Sequence, residues 1–169
     1  PPPPEVWPLV TVQLPVFNEM YVVERLIEAV ARLEYPADRL EIQVLDDSTD
    51  TTSERIQQKV ASLRRKGIDI KHLRRTNRRG FKAGALKAGM LSACGEFLCI
   101  FDADFAPTPE FLRRTVPHFT DPMVGMVQVR WSHLNRDYSA LTRIQAMFLD
   151  AHFAIEHAAR SRAGRFFNF

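Results

Sequence analysis

Asp102-Ala103-Asp104 closes the apolar run Phe97-Leu98-Cys99-Ile100-Phe101 and leads directly into Phe105, Ala106 and Pro107. A run this short, bounded by Gly95 and Pro107, reads as a buried strand that delivers two carboxylates to its C-terminal end. Two acids one residue apart can converge on one small volume, where they repel each other and one tends to protonate. A divalent cation removes that conflict, and hard oxygen ligands suit magnesium or manganese, which keep coordination positions open for phosphate oxygens. The pair is a candidate metal–diphosphate site. A solvated strand-to-loop turn is the alternative that the motif alone leaves open.

Other acids stand at the ends of other strand-like runs. The run 9–14 ends in Pro15-Val16-Phe17-Asn18-Glu19, and the run 42–45 ends in Asp46-Asp47-Ser48. If these strands are parallel, all three acidic segments face one rim of the sheet, an arrangement that is costly without cations or a hydrogen-bonding ligand. Gly80-Phe81-Lys82-Ala83-Gly84 leads into a helix. There Lys82 places positive charge near a helix start, where anions are favoured, and Gly84 permits close backbone approach. Neither G-x-G-x-x-G nor G-x-x-x-x-G-K-S/T is present, which excludes the dinucleotide fingerprint and the P-loop.

The elements that must position these residues alternate. Strands are predicted over 9–14 (ended by Pro15), 42–45, 68–73, 97–101 and 124–129. Between them, Val23, Leu26, Ile27 and Val30 repeat at helical spacing. Ile56, Val60 and Leu63 do so after a cap at Thr49 or Asp50, and an alanine-rich helix spans 81–93. Thr108-Pro109 is expected to open a further helix with proline at its first position, and 139–160 reads as one long helix. This order argues an α/β fold with a mostly parallel central sheet flanked by helices, whose ligands bind beyond the carboxyl ends of the strands.

With 46% hydrophobic and 25% charged residues, the chain has the balance of a soluble domain, and its net charge of +3 is too small to imply nucleic acid. The charge is uneven: Arg64, Arg65, Lys66, Lys71, Arg74, Arg75, Arg78, Arg79 and Lys82 crowd one stretch, as a solvated face or as a field that draws in an anionic substrate. No apolar run approaches the ~18 residues of a membrane helix. The start at Pro1-Pro2-Pro3-Pro4 predicts a linker over 1–8, with the folded part over 9–169. Together with the aromatic end at Phe169, it predicts a piece of a longer protein cut within its fold. Cys94 and Cys99 are read as reduced core residues in a cytosolic setting. His152 and Glu156 share a helix face, packed or solvated rather than zinc-binding since no H-E-x-x-H exists, and Trp131 is either a stacking platform or a core residue.

With Pro15-Val16-Phe17-Asn18-Glu19, Asp46-Asp47-Ser48, Lys82-Ala83-Gly84-Ala85-Leu86 and Asp102-Ala103-Asp104 in this order, the chain resembles family 2 glycosyltransferases of GT-A (Rossmann-like) fold. It looks most like the cellulose synthase-like, membrane-embedded polysaccharide synthases of the glucan and mannan type. Val127-Gln128-Val129-Arg130-Trp131-Ser132 and His152-Phe153-Ala154-Ile155-Glu156 resemble later stretches of those proteins. The resemblance implies an inverting transfer of a hexose from UDP-glucose or GDP-mannose to a growing polysaccharide or oligosaccharide. It places Pro15, Phe17, Asn18 and Glu19 beside the base, Asp46 and Asp47 on base and ribose, and Lys82 and Gly84 along the nucleotide. Asp102 and Asp104 then hold Mg2+ or Mn2+ and the donor diphosphate. The family's acidic base and its Q-x-x-R-W are expected after Phe169, so the catalytic base is not among these residues and the piece alone is expected to be poorly active. It is expected to be soluble on the cytosolic side, as part of an integral membrane protein. Two other readings remain. A sugar nucleotidyltransferase should show a glycine-rich basic loop after the first strand, whereas Pro15 to Glu19 contain no glycine. A nucleotide- or RNA-binding module should interleave aromatics with the basic run.

Overall fold

The structure, a computed structural model, describes residues 1–130 and 135–165. Trp131, His133 and the terminal Phe169 lie outside the described residues. Strands β1 (Val10–Val16), β2 (Leu40–Asp46), β3 (Ile70–Arg74) and β4 (Phe97–Ile100) form one parallel sheet in the order β3-β2-β1-β4. Parallel neighbours require crossovers, which α1 (Val23–Ala31), α2 (Thr52–Arg64) and α3 (Phe81–Met90) supply. The register aligns Val16 with Asp46 and Asp46 with Arg74, so the carboxyl ends of β1, β2 and β3 finish level.

The sheet has two unlike faces. Val10, Val12, Leu14 and Val16 of β1, with Ile42 and Val44 of β2, pack into one aliphatic core against Val23, Leu26, Ile27 and Val30 of α1 and Ile56, Val60 and Leu63 of α2. The opposite face carries Thr11, Gln13, Glu41 and Gln43, all buried, and α3 lies against it. Each of these residues has a partner: Thr11 donates to Glu41 at 2.5 Å, the Gln13 and Gln43 amides meet at 3.0 Å, and Lys71 pairs with Glu41, while Gln13 Oε1 is buried without a hydrogen bond. Bonds from the Cys94 N–H, Lys71 and Thr11 outweigh burial and hold the Glu41 carboxyl below the usual glutamate range.

Several local expectations need correction. Pro15 does not end β1, which runs to Val16. The backbone of Leu9 and Gln13 bonds towards β4, but the ladder with β4 stops at Gln13–Ile100, so the missing N–H of Pro15 falls where no partner strand remains. Residues 124–130 form no strand; their apolar alternation has no ladder partner among the described residues, and an unpaired strand is not stable. Helix α4 (Phe111–Thr115) starts after Pro109, whose carbonyl instead accepts from the Glu34 N–H at 2.8 Å. Cys94 is exposed in the α3–β4 connection rather than buried, and Cys99 is partly buried.

The chain divides into two compact units, 1–125 and 126–169. In the second, Ser139 and Thr142 form a reciprocal capping box that starts α5 (Ala140–Ala151). A π turn over His152–His157 and α6 (Ala158–Arg162) continue it, so the long helix expected over 139–160 is present with one widened turn.

Candidate functional site

The loop after β1 is tied to the loop after β2. Asn18 adopts a left-handed conformation, φ 56°, which asparagine tolerates better than most residues. Its N–H donates to Ser48 Oγ at 3.0 Å and its side-chain oxygen accepts from the Thr49 N–H at 2.9 Å. Asn18 therefore acts as a staple between two strand ends. Phe17 is half-buried, and the Arg78 guanidinium stacks on its ring, 3.2 Å from the centroid. Glu19 is exposed on the same loop.

Asp46 and Asp47 are adjacent but occupy different environments, as successive residues at a strand end must. Asp46 is 1% exposed and engaged entirely within the chain. It accepts from the Ser48 N–H at 2.8 Å and from the Ser53 hydroxyl, lies 2.8 Å from His72 Nε2, and has Arg74 at 3.5 Å. Burial alone would raise its carboxyl, but the bonds from His72, Ser53 and Ser48 outweigh burial and hold it far below the usual aspartate range. Asp47 sits at the rim, gripped by the guanidinium of Arg75, which the pairing holds more firmly charged.

The β3–α3 connection brings the basic run onto this rim. Gly80 takes a left-handed conformation, φ 75°, immediately before α3. Gly84 permits a close approach, and what approaches is the chain itself: a Cβ there would stand 2.0 Å from the Arg79 carbonyl oxygen and 2.7 Å from Arg75 Nη1. Lys82, in the first turn of α3, pairs its ammonium with Asp102.

Asp102 and Asp104 flank Ala103, which is buried in the core, so the two carboxylates are left on the outward side of the turn that the Phe105 N–H closes on the Asp102 carbonyl at 3.1 Å. Asp104 is exposed and Asp102 half-buried. Two hard oxygen donors that a tight turn leaves accessible are of the kind a divalent cation takes. Among the described residues no third His, Cys, Asp or Glu completes a protein cage. The remaining ligands of such an ion would come from water and substrate.

The acidic rim anticipated from the strand ends is thus met largely from within. Arg74, Arg75 and Lys82, read from sequence within a solvated or steering run, pair there with Asp46, Asp47 and Asp102, while Lys71 of the same run pairs with Glu41 near the amino end of β2. Sequence reasoning missed His72 and Ser53 as rim residues, and took Arg75 and Arg78 only as part of the basic run. The available signal was that β3, ending in basic residues, must lie next to β2, which ends in acids. In the second unit, His152 and Arg160 lie 2.8 and 3.2 Å from Glu156 along one helix face, and among the described residues they gather no third metal ligand. Among the described residues no helix is long and apolar enough to cross a membrane.

A parallel four-stranded sheet with flanking helices, its acids and one lysine gathered at the carboxyl rim, defines a GT-A-like glycosyltransferase fold. The glycosyl transferase family 2 pattern matches residues 11–165, and the chain belongs to that family. It aligns with the mannosyltransferase PcManGT from Pyrobaculum calidifontis, solved in complex with GDP-Man and Mn2+, at a TM-score of 0.71 and 33% identity, over 82% of this chain and 39% of that one. It is 46% identical to a probable glucomannan 4-beta-mannosyltransferase 7 of Oryza sativa subsp. japonica, over 96% of this chain and 29% of that protein. It is likewise 46% identical to glucomannan 4-beta-mannosyltransferase 2 of Arabidopsis thaliana, over 96% of this chain and 32% of that protein. The chain therefore spans about a third of the length of these relatives.

Proposed function

We propose that this chain binds the donor of a mannosyl transfer, GDP-mannose, at the carboxyl rim of its sheet. The observation that carries the reading is the outward pair Asp102 and Asp104 with the Lys82 ammonium beside Asp102. That trio offers two oxygens to a divalent cation and one cation to a phosphate. Mannosyltransferase names among the relatives, and GDP-Man with Mn2+ in the PcManGT structure, favour guanosine and mannose over uridine and glucose. Mn2+ or Mg2+, held by Asp102 and Asp104, would neutralise the charge that develops on the departing diphosphate. Lys82 would bind the same diphosphate from α3, and Phe17 with Asn18 and Glu19 would border the base above the end of β1. Pro15 and Gly84 serve by shape. Asp47, clamped by Arg75, would shape the base and ribose side of the rim rather than stand free for it, and Asp46 acts from beneath by ordering Ser48 and His72.

In the whole protein, the sugar passes with inversion to a growing polysaccharide, and a carboxylate outside this rim deprotonates the acceptor hydroxyl. The whole protein is embedded in a membrane with this domain on the cytosolic side. An RNA-binding reading has less support, because Lys71, Arg74, Arg75 and Lys82 of the basic run are engaged with carboxylates and Phe17 and Phe81 are the aromatics its Arg78 meets. Calorimetry with GDP and UDP, each with Mn2+ and with chelator, tests the proposal. Metal-dependent binding with preference for GDP is expected; binding that survives chelation unchanged refutes the metal role, and preference for UDP refutes the mannosyl donor.

A further inference from the structure

Arg75, the first residue after β3, is a feature that the metal pair and Lys82 do not account for. Four of the five N–H donors of its guanidinium are spent within the chain. Nε donates to Asp47 Oδ1 at 2.9 Å and Nη2 to Asp47 Oδ2, while Nη1 donates to the Arg79 carbonyl at 2.9 Å and Nη2 to the Phe81 carbonyl at 3.1 Å. The side chains of Arg75 and Asp47 are 17% and 6% exposed, so this fork is largely withdrawn from solvent. One planar group thereby joins the end of β2 to the start of α3.

The loop needs such a tie. Gly80 and Phe81 are both left-handed, with φ of 75° and 48°, and the second is a conformation that a bulky residue ordinarily avoids. Phe81 is itself 65% exposed, so core packing does not impose its backbone. A backbone of this kind persists only where surrounding contacts over-determine it; the loop's own bonds from the Phe81 N–H to the Arg78 carbonyl and from the Arg79 N–H to Asn77 Oδ1 are local, and the bonds from Arg75 to the Arg79 and Phe81 carbonyls tie it to β2. The notch at Gly84 admits the guanidinium to within reach of both. The next residue along the chain is Lys82.

We infer that Arg75 is the positioning residue of the rim: by locking the Arg79 and Phe81 carbonyls against Asp47 it sets the backbone that aims Lys82 at the donor diphosphate, without touching the ligand itself. The inference rests on the nucleotide reading given above. Lysine cannot substitute, because an ammonium is a single point of charge and cannot span a carboxylate and two separate carbonyls as the planar fork does.

The test is Mn2+–GDP binding by calorimetry for the chain, Arg75→Lys, Lys82→Met and the double variant, at a temperature where circular dichroism shows each folded. If Arg75 acts through Lys82, Arg75→Lys weakens binding by roughly tenfold alone but by less than about threefold when Lys82 is already methionine, the non-additivity of residues acting as a unit. Without nucleotide, trypsin should cut after Arg78 and Arg79 about fivefold faster in Arg75→Lys, reporting local opening of the loop in a folded protein. Equal losses in both backgrounds, or unchanged affinity, overturn the positioning role. Should Arg75→Lys fail to fold, Gly84→Ala, which evicts the guanidinium from its notch, takes its place with the same expected pattern. If the parent chain binds neither GDP nor UDP with Mn2+, the nucleotide reading and this inference fall together; if the parent binds and Arg75→Lys binds equally well, this inference alone falls.

Discussion

Replacing Gly84 by alanine should destabilise the protein, although alanine is the better helix former. In an unobstructed helix the change would gain about 1 kcal/mol. Here the new methyl would stand 2.0 Å from the Arg79 carbonyl oxygen, 3.1 Å from its carbon and 2.7 Å from Arg75 Nη1. Two of these atoms are backbone, so no side-chain rotation relieves the clash and the loop itself must move. Overpacking of this kind costs roughly 1–3 kcal/mol. Displacing the Arg79 carbonyl also breaks a hydrogen bond to a charged group, worth about 1.5–3 kcal/mol, with the lower end apt for a rim position. Helix propensity offsets part of this, leaving a net loss of about 2–3 kcal/mol. For a chain of this size that lowers the melting temperature by roughly 4–12 °C. Thermal melting followed by circular dichroism measures it, with Gly125→Ala as the control, since a Cβ at Gly125 meets nothing within 4 Å. A Gly84→Ala protein that melts at or above the parent temperature would refute the packing argument.

Asn18→Ala removes both the staple to Thr49 and the residue type that tolerates φ 56°, and should cost about 1–3 kcal/mol in urea unfolding; a change within about 0.5 kcal/mol would mean the loop is held elsewhere. Because Asp46 is held below the usual aspartate range when folded, its contribution is complete above the unfolded value of about 3.9 and is lost as pH falls through that value towards the folded one. Urea midpoints should therefore show Asp46→Asn less stable than the parent at neutral pH, with the gap closing on acidification; a constant gap refutes the linkage. Asp104→Asn should weaken nucleotide binding in Mn2+ by about 1–3 kcal/mol and make the remaining affinity indifferent to chelator, whereas an undiminished response to chelator would place the metal elsewhere.

The sheet was readable because short apolar runs ending in proline, glycine or acids announce buried parallel strands, and the helical spacing of Val23, Leu26, Ile27 and Val30 announces the crossover that makes them parallel. From that follows the gathering of Asp46, Asp47 and Asp102 at one rim. Which of these acids remain available did not follow, because it depends on tertiary partners. Asp46 is taken by His72 and Ser53, Asp47 by Arg75 and one Asp102 oxygen by Lys82, while the burial of Ala103 leaves Asp102 half-exposed and Asp104 exposed. The alternation at 124–129 misled because a strand requires a neighbour as well as a sequence, and the pattern carries no information about the neighbour. Pro15 misled in the opposite sense: its lost N–H matters only if a strand lies on that side, and β4 has already left the ladder there.

The unlike faces of the sheet mean that its strands are keyed twice over. On one side aliphatic burial attaches α1 and α2 to β1 and β2. On the other, beneath α3, Thr11 with Glu41, Gln13 with Gln43 and Lys71 with Glu41 join β1, β2 and β3 side chain to side chain. Aliphatic contact has no direction, whereas a hydrogen bond does. A slip of β2 by one residue against β1 would part these partners and leave buried polar groups unmatched, at roughly 1–3 kcal/mol for each. The polar face therefore fixes the level at which Asp46 and Asp47 emerge beside the end of β1.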